Sequence, residues 1–143
     1  MFPKITRLIP QRSPFLMVDE VVSCEGCDAV TIFRLTPGNI LIDGDRLSVA
    51  GIIENMAQSC AARMGCVDWM RGEPIKIGYV GDVKDCSIVR RPRIGETLHT
   101  HVHIVEKVFS LMLAEVTVSS DDEPIASACM KIAMTNIEAY LEE

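Results

Sequence analysis

Glu54 and Gln58 stand four residues apart in a stretch whose apolar residues recur at three- and four-residue steps, so on a helix they lie one turn apart on one face. A carboxyl group beside an amide is a candidate acid or base, because the amide can orient it by hydrogen bonding. Gln11 lies in a proline-punctuated segment near the N-terminus. Its amide can hydrogen-bond but has no accessible proton-accepting pKa, so it cannot act as a general base. His99, His101 and His103 alternate along one predicted strand and project from one face. Three imidazoles there could hold a transition metal, yet Leu98, Thr100, Val102 and Ile104 read as the core face and turn the histidines toward water or an interface. Cys24-Glu25-Gly26-Cys27 is a lone C-x-x-C without a second pair at zinc-ligand spacing, and its glycine suits a turn between strands. No metal is expected.

Several elements must position these groups. Pro3, Pro10 and Pro14 forbid a long helix before residue 15 and predict an extended arm. Phe15–Ser23 and Ala29–Leu35 read as a hairpin, and Thr36–Arg46, rich in turn formers, as a loop. From Ser48 to about Met70, Val49, Ile52, Ile53, Met56, Cys60, Met64 and Val67 mark a long helix with Ser48 as its N-cap. Its second face, with Gly51, Asn55, Gln58 and Ala62, is small or neutral, which predicts a helix enclosed on several sides. Four strands follow, at about Pro74–Val89, Glu96–Lys107, Val108–Ser119 and Pro124–Asn136. The order predicts an α+β fold in which a curved antiparallel sheet wraps one central helix.

Composition narrows the function. The chain has 143 residues, enough for a substantial core in one domain spanning 1–143. A net charge of −6 argues against nucleic acid or an anionic membrane as the main partner. The exception is the run Arg90, Arg91, Arg93, readable as a solvated turn or as a receiver for a phosphate or an acidic carrier protein. No segment has the roughly 18 consecutive apolar residues of a membrane span, and no secretory signal pattern opens the chain, so a cytoplasmic protein with free thiols is expected.

The segment Leu8-Ile9-Pro10-Gln11-Arg12-Ser13-Pro14-Phe15-Leu16-Met17-Val18-Asp19 resembles the arm signature of the hotdog-fold β-hydroxyacyl-(acyl carrier protein) dehydratases, Leu-Pro-His-Arg-x-Pro-Phe-Leu-Leu-Val-Asp. Ala50–Gln58 resembles the same family's central-helix motif, in which a Glu-x-x-Ala-Gln run matches Glu54, Ala57 and Gln58. The segments Gly72–Gly78 and Arg91–Leu98 most resemble the dehydratase-like subfamily of aryl-polyene-type lipid pathways. The resemblance implies a hotdog fold, an acyl thioester on acyl carrier protein or coenzyme A as substrate, and no cofactor. It also implies Glu54 as the acid that helps expel the β-hydroxyl, with Gln58 orienting it, and Gly51, Pro14 and Phe15 beside the substrate. Glu54 is expected in an apolar channel between two subunits, where burial would raise its pKa.

The family's base is a histidine at the position of Gln11. Three readings follow: a dehydratase-family subunit with altered or lost activity, which could lend Glu54 to a histidine-bearing homologue; a hotdog thioesterase using Glu54 to activate water; or a noncatalytic acyl-binding or scaffold protein. All expect a homodimer or heterodimer that covers the far side of the helix and an edge strand.

Overall fold

The computed structural model describes residues 1–141. One turn of 3-10 helix, Ile5–Arg7, opens the arm. The strands are β1 (Glu20–Glu25), β2 (Asp28–Arg34), β3 (Ile42–Asp43), β4 (Arg46–Leu47), β5 (Lys76–Ile88), β6 (Thr97–Val108), β7 (Leu111–Ser120) and β8 (Glu123–Glu138), and the helix α1 spans Val49–Met70. Six strands form one antiparallel sheet in the order β1-β2-β6-β7-β8-β5, curved around α1. This is the hotdog arrangement expected. The predicted loop between β2 and α1 carries the small β3–β4 ladder.

The helix begins where its cap predicts. Ser48 is extended, and its hydroxyl accepts the Gly51 N–H at 3.1 Å, satisfying one of the first-turn donors. Ile52, Met56, Cys60 and Met64, four residues apart, form the stripe that the sheet buries beneath Leu98, Val102, Ala114, Val116, Met130 and Ile132. Residues so enclosed supply most of the stabilisation, about 1.5–3 kcal/mol for each large side chain removed from water.

The second face of α1 is enclosed as well, but by the chain's own arm and loop rather than by a partner. Gly51, Asn55, Gln58 and Ala62 are all buried. Ala62 and Cys66 pack with Ile5, Leu8, Ile9 and Val18 in a cluster separate from the main core. The arm crosses the helix so closely that a Cβ on Gly65 would sit 2.1 Å from the Leu8 carbonyl oxygen. Gly65→Ala should therefore push the arm outward and cost about 1–3 kcal/mol, read as a lower urea midpoint at unchanged slope.

The arm also explains why β1 starts at Glu20 and not at Phe15. Helix side chains, described below, take the backbone hydrogen bonds of Phe15 and Met17 that a strand neighbour would otherwise take. The β6–β7 turn falls at Phe109–Ser110, two residues beyond the boundary read from sequence. Among the described residues no helix is long and apolar enough to cross a membrane.

Candidate active site

Gln58 is 1% exposed, and both its amide N–H groups and its amide oxygen are hydrogen-bonded. Its Oε1 accepts the Met17 N–H at 2.7 Å, and its Nε2 donates to the Phe15 carbonyl at 2.9 Å and to Glu54 Oε2 at 2.7 Å. One amide thus ties the arm and the carboxylate together, and only one carboxyl oxygen of Glu54 is engaged. Asn55, fully buried, completes the clamp: its Nδ2 donates to the Met17 carbonyl at 2.7 Å while its Oδ1 accepts the Thr100 hydroxyl at 2.6 Å. Ser59 donates to the Asn55 carbonyl at 2.7 Å and meets Thr31 at 2.8 Å. A polar spine therefore runs from the sheet through α1 to the arm. Satisfied networks of this kind hold a unique geometry, whereas a broken one leaves buried groups unpaired.

Sequence reasoning missed Asn55, Ser59, Thr31 and Thr100. The available signal was a set of polar residues on strand and helix faces otherwise reading as core.

Glu54 itself is exposed, which corrects the expectation of a carboxyl buried within an apolar channel. The physical reason is the helix phase: Ile52 and Met56 face the sheet, Asn55 and Gln58 face the arm, and Glu54 occupies the remaining outward side, which only another chain could wall in. Two depressions, of about 630 Å³ between the arm and β1 and of about 200 Å³ on the outer sheet face, are not lined by Glu54.

Gly51 is also not where a ligand could approach it. A Cβ there would lie 2.4 Å from Leu47 Cδ1, and its N–H is engaged by Ser48, so the missing side chain makes room for the preceding loop. Pro14 and Phe15 are exposed on the arm, with Phe15 anchored through its carbonyl to Gln58 and through its N–H to Arg12. Gln11 is half-buried, and its Oε1 is shut in without a hydrogen-bond donor among the described residues. Arg12 fixes the adjacent backbone, reaching the carbonyls of Thr6, Ile9 and Gln11.

Two of the three arginines in the run are engaged within the fold. Arg90 pairs with Glu96 through two bonds of 2.9 and 2.7 Å, and Arg91 donates to the carbonyls of Leu47, Asp43 and Arg46, bracing the loop that leads into α1. Arg93 alone is exposed. The Arg90 guanidinium, with the Arg93 N–H and the Ser120 hydroxyl, holds the Glu96 carboxyl down at about 2, from an ordinary 4.5. A depressed carboxylate contributes stability above its unfolded value and loses it as pH falls through the folded one. The stability gap between wild type and Glu96→Gln should therefore narrow between about pH 4.5 and 2 in acid-unfolding curves.

On the outer face of the sheet, His101 Nε2 and His103 Nδ1 both bond Asp28 Oδ1, at 2.7 and 2.8 Å, and hold that carboxyl below its usual range. His99 is exposed. Among the described residues no group of three or more His, Cys, Asp or Glu side chains is arranged to hold a metal ion. Cys24 packs against the arm cluster while Cys27 is exposed, and all six thiols are free. Burial pushes Cys60 and Cys66 up to about 12, which removes them as nucleophiles.

Comparison with known proteins gives this geometry a context. The ApeP-like dehydratase family model matches residues 3–142. The 3-hydroxyacyl-[acyl-carrier-protein] dehydratase FabZ of Clostridioides difficile (strain 630) is 32% identical over 107 residues, covering 71% of this chain and 73% of that protein. FabZ of Thermoanaerobacter sp. (strain X514) is 28% identical over 92% of this chain and 94% of its own length. Among solved structures, the dehydratase heterocomplex ApeI:P from Xenorhabdus doucetiae superposes with a TM-score of 0.88 at 14% identity, covering 95% of this chain and 93% of that one. A hypothetical thioesterase with coenzyme A from Streptococcus pneumoniae TIGR4 superposes less closely, with a TM-score of 0.67 at 8% identity over 85% and 88%. The chain belongs to the ApeP-like dehydratase family, a hotdog-fold group with 3-hydroxyacyl-acyl carrier protein dehydratase-like function.

Proposed function

We propose that this chain is the acid-bearing subunit of a dehydratase for β-hydroxyacyl thioesters on an acyl carrier protein, completed by a histidine-bearing homologue. The observation that carries the reading is the Gln58 amide, which holds Glu54 through Oε2 and leaves Oε1 free to deliver a proton. In the reaction a base takes the α-proton, the C–O bond at the β-carbon breaks, and the departing oxygen collects a proton from Glu54 and leaves as water. Hydroxide is a poor leaving group, so this proton transfer is worth about 10²–10⁴ in rate. Enolate charge developing on the thioester carbonyl needs donors near it, and the positive end of α1 lies on the same helix as Glu54.

This chain cannot supply the base, because Gln11 stands at the arm position and does not accept a proton near neutrality. Glu54 is exposed on its own chain beyond its one bond to Gln58, as a residue shared across a subunit interface would be. A heteromer of two hotdog chains, a pairing that the similarity to the ApeI:P dehydratase heterocomplex supports, would bring Glu54 of one chain to the histidine of the other. It also covers the β5 edge, where Tyr79 is 56% exposed.

The test incubates this chain alone, the histidine-bearing homologue alone, and the two together with a β-hydroxyacyl carrier thioester, following loss of water by mass. Enoyl formation by the mixture well above the sum of the separate chains is expected. Equal rates with and without this chain would remove the proposal, and free thiol released by this chain alone would replace it with the thioesterase reading.

A further inference from the structure

The two-residue turn Phe109–Ser110 closes the β6–β7 hairpin on the pair Val108 and Leu111. Phe109 has φ 53, a left-handed conformation that such turns favour glycine for, and its side chain stands 95% exposed. The aromatic ring strains the backbone and wets a large apolar surface, and neither the turn nor the core gains from it.

The surroundings of Phe109 supply a reason. On the outer face of the sheet, register aligns Val108 with Leu111, Leu111 with Ala133, and Ala133 with Tyr79, an apolar row crossing four strands. The next row runs Glu106, Leu113, Lys131 and, on β5, Asp82, which pairs with Lys84. A depression of about 200 Å³ opens there, lined by Glu106, Val108, Leu111, Met112, Leu113 and Lys131. Neither Glu106 nor Lys131 takes part in an ion pair among the described residues.

We propose that this corner of the outer face is an isologous interface with a second copy of the chain, each Phe109 filling the other copy's depression. A two-fold axis through the centre of the patch reverses the order of the charges, so Glu106 faces the partner's Lys131 and Lys131 faces the partner's Glu106. Protrusion and hollow lie on one surface, as self-complementary contacts require. Opposite charges flanking an apolar centre fix the register of such a contact. An anionic bilayer is a poorer match, because the patch carries both signs and the chain is net −6. The contact lies on the outer face, so it joins two protomers, or two dimers, whatever pairs at the β5 edge, and it does not rest on the activity proposed above.

Light scattering on the full chain at micromolar concentration tests this. Phe109→Gly suits the turn and should melt no lower than wild type, yet have half its mass. Glu106→Lys or Lys131→Glu alone should also halve the mass, and the two together should restore it. Equal masses for wild type and Phe109→Gly, or no recovery in the double variant, would overturn the proposal. Phe109-dependent binding to phosphatidylglycerol vesicles at unchanged mass would also overturn it, naming a lipid surface as the occupant.

Discussion

Glu54→Gln in the complex with a histidine-bearing homologue should lower enoyl formation by about 10²–10⁴, the range for loss of a positioned acid. Glutamine is nearly isosteric and can still meet Gln58, since one amide can donate to the other's oxygen. The fold should be preserved, with thermal midpoints within a few degrees. Because Glu54 is exposed on the chain and glutamine can keep its bond to the buried Gln58, a large loss of rate without loss of stability would separate chemistry from structure. Rates are to be read as kcat and KM separately. An acid used only in the transition state lowers kcat and kcat/KM together.

Gln58→Leu should damage both stability and rate. It removes the donor to the Phe15 carbonyl and the acceptor for the buried Met17 N–H, and frees Glu54 from its tether. Two backbone groups left unpaired cost about 2–4 kcal/mol, measurable by urea unfolding. Asn55→Leu provides the comparison. It also loosens Met17, by losing the donor to its carbonyl, but leaves the Gln58–Glu54 bond in place. Similar destabilisation with a smaller fall in rate is expected for Asn55→Leu, and equal falls in rate would mean that the tether to Glu54 has no role of its own.

Much of this was legible in the residues, for physical reasons that differ along the chain. The helix was readable because Ser48 caps it and its apolar residues keep a period near 3.6, and the Glu54–Gln58 contact follows from their spacing on that helix. The arm's attachment was not readable, because its anchors are main-chain groups of Phe15 and Met17, which every residue type possesses. The β6–β7 turn was placed two residues early because Phe109 stands where a glycine would have announced it. Gly51 was read as room for substrate, whereas its space is filled by Leu47, a contact between neighbouring elements that spacing does not encode. The enclosed face of α1 was inferred correctly from its lack of charge, but the covering element was the arm.

Complementation is the most direct measurement of the central claim that Glu54 donates the proton across a subunit boundary. A histidine-bearing homologue whose own helix carboxylate has been changed to glutamine would be combined with this chain and given a β-hydroxyacyl carrier thioester. Enoyl product is expected from that mixture, and none when this chain carries Glu54→Gln. Product formed equally by both mixtures would contradict it.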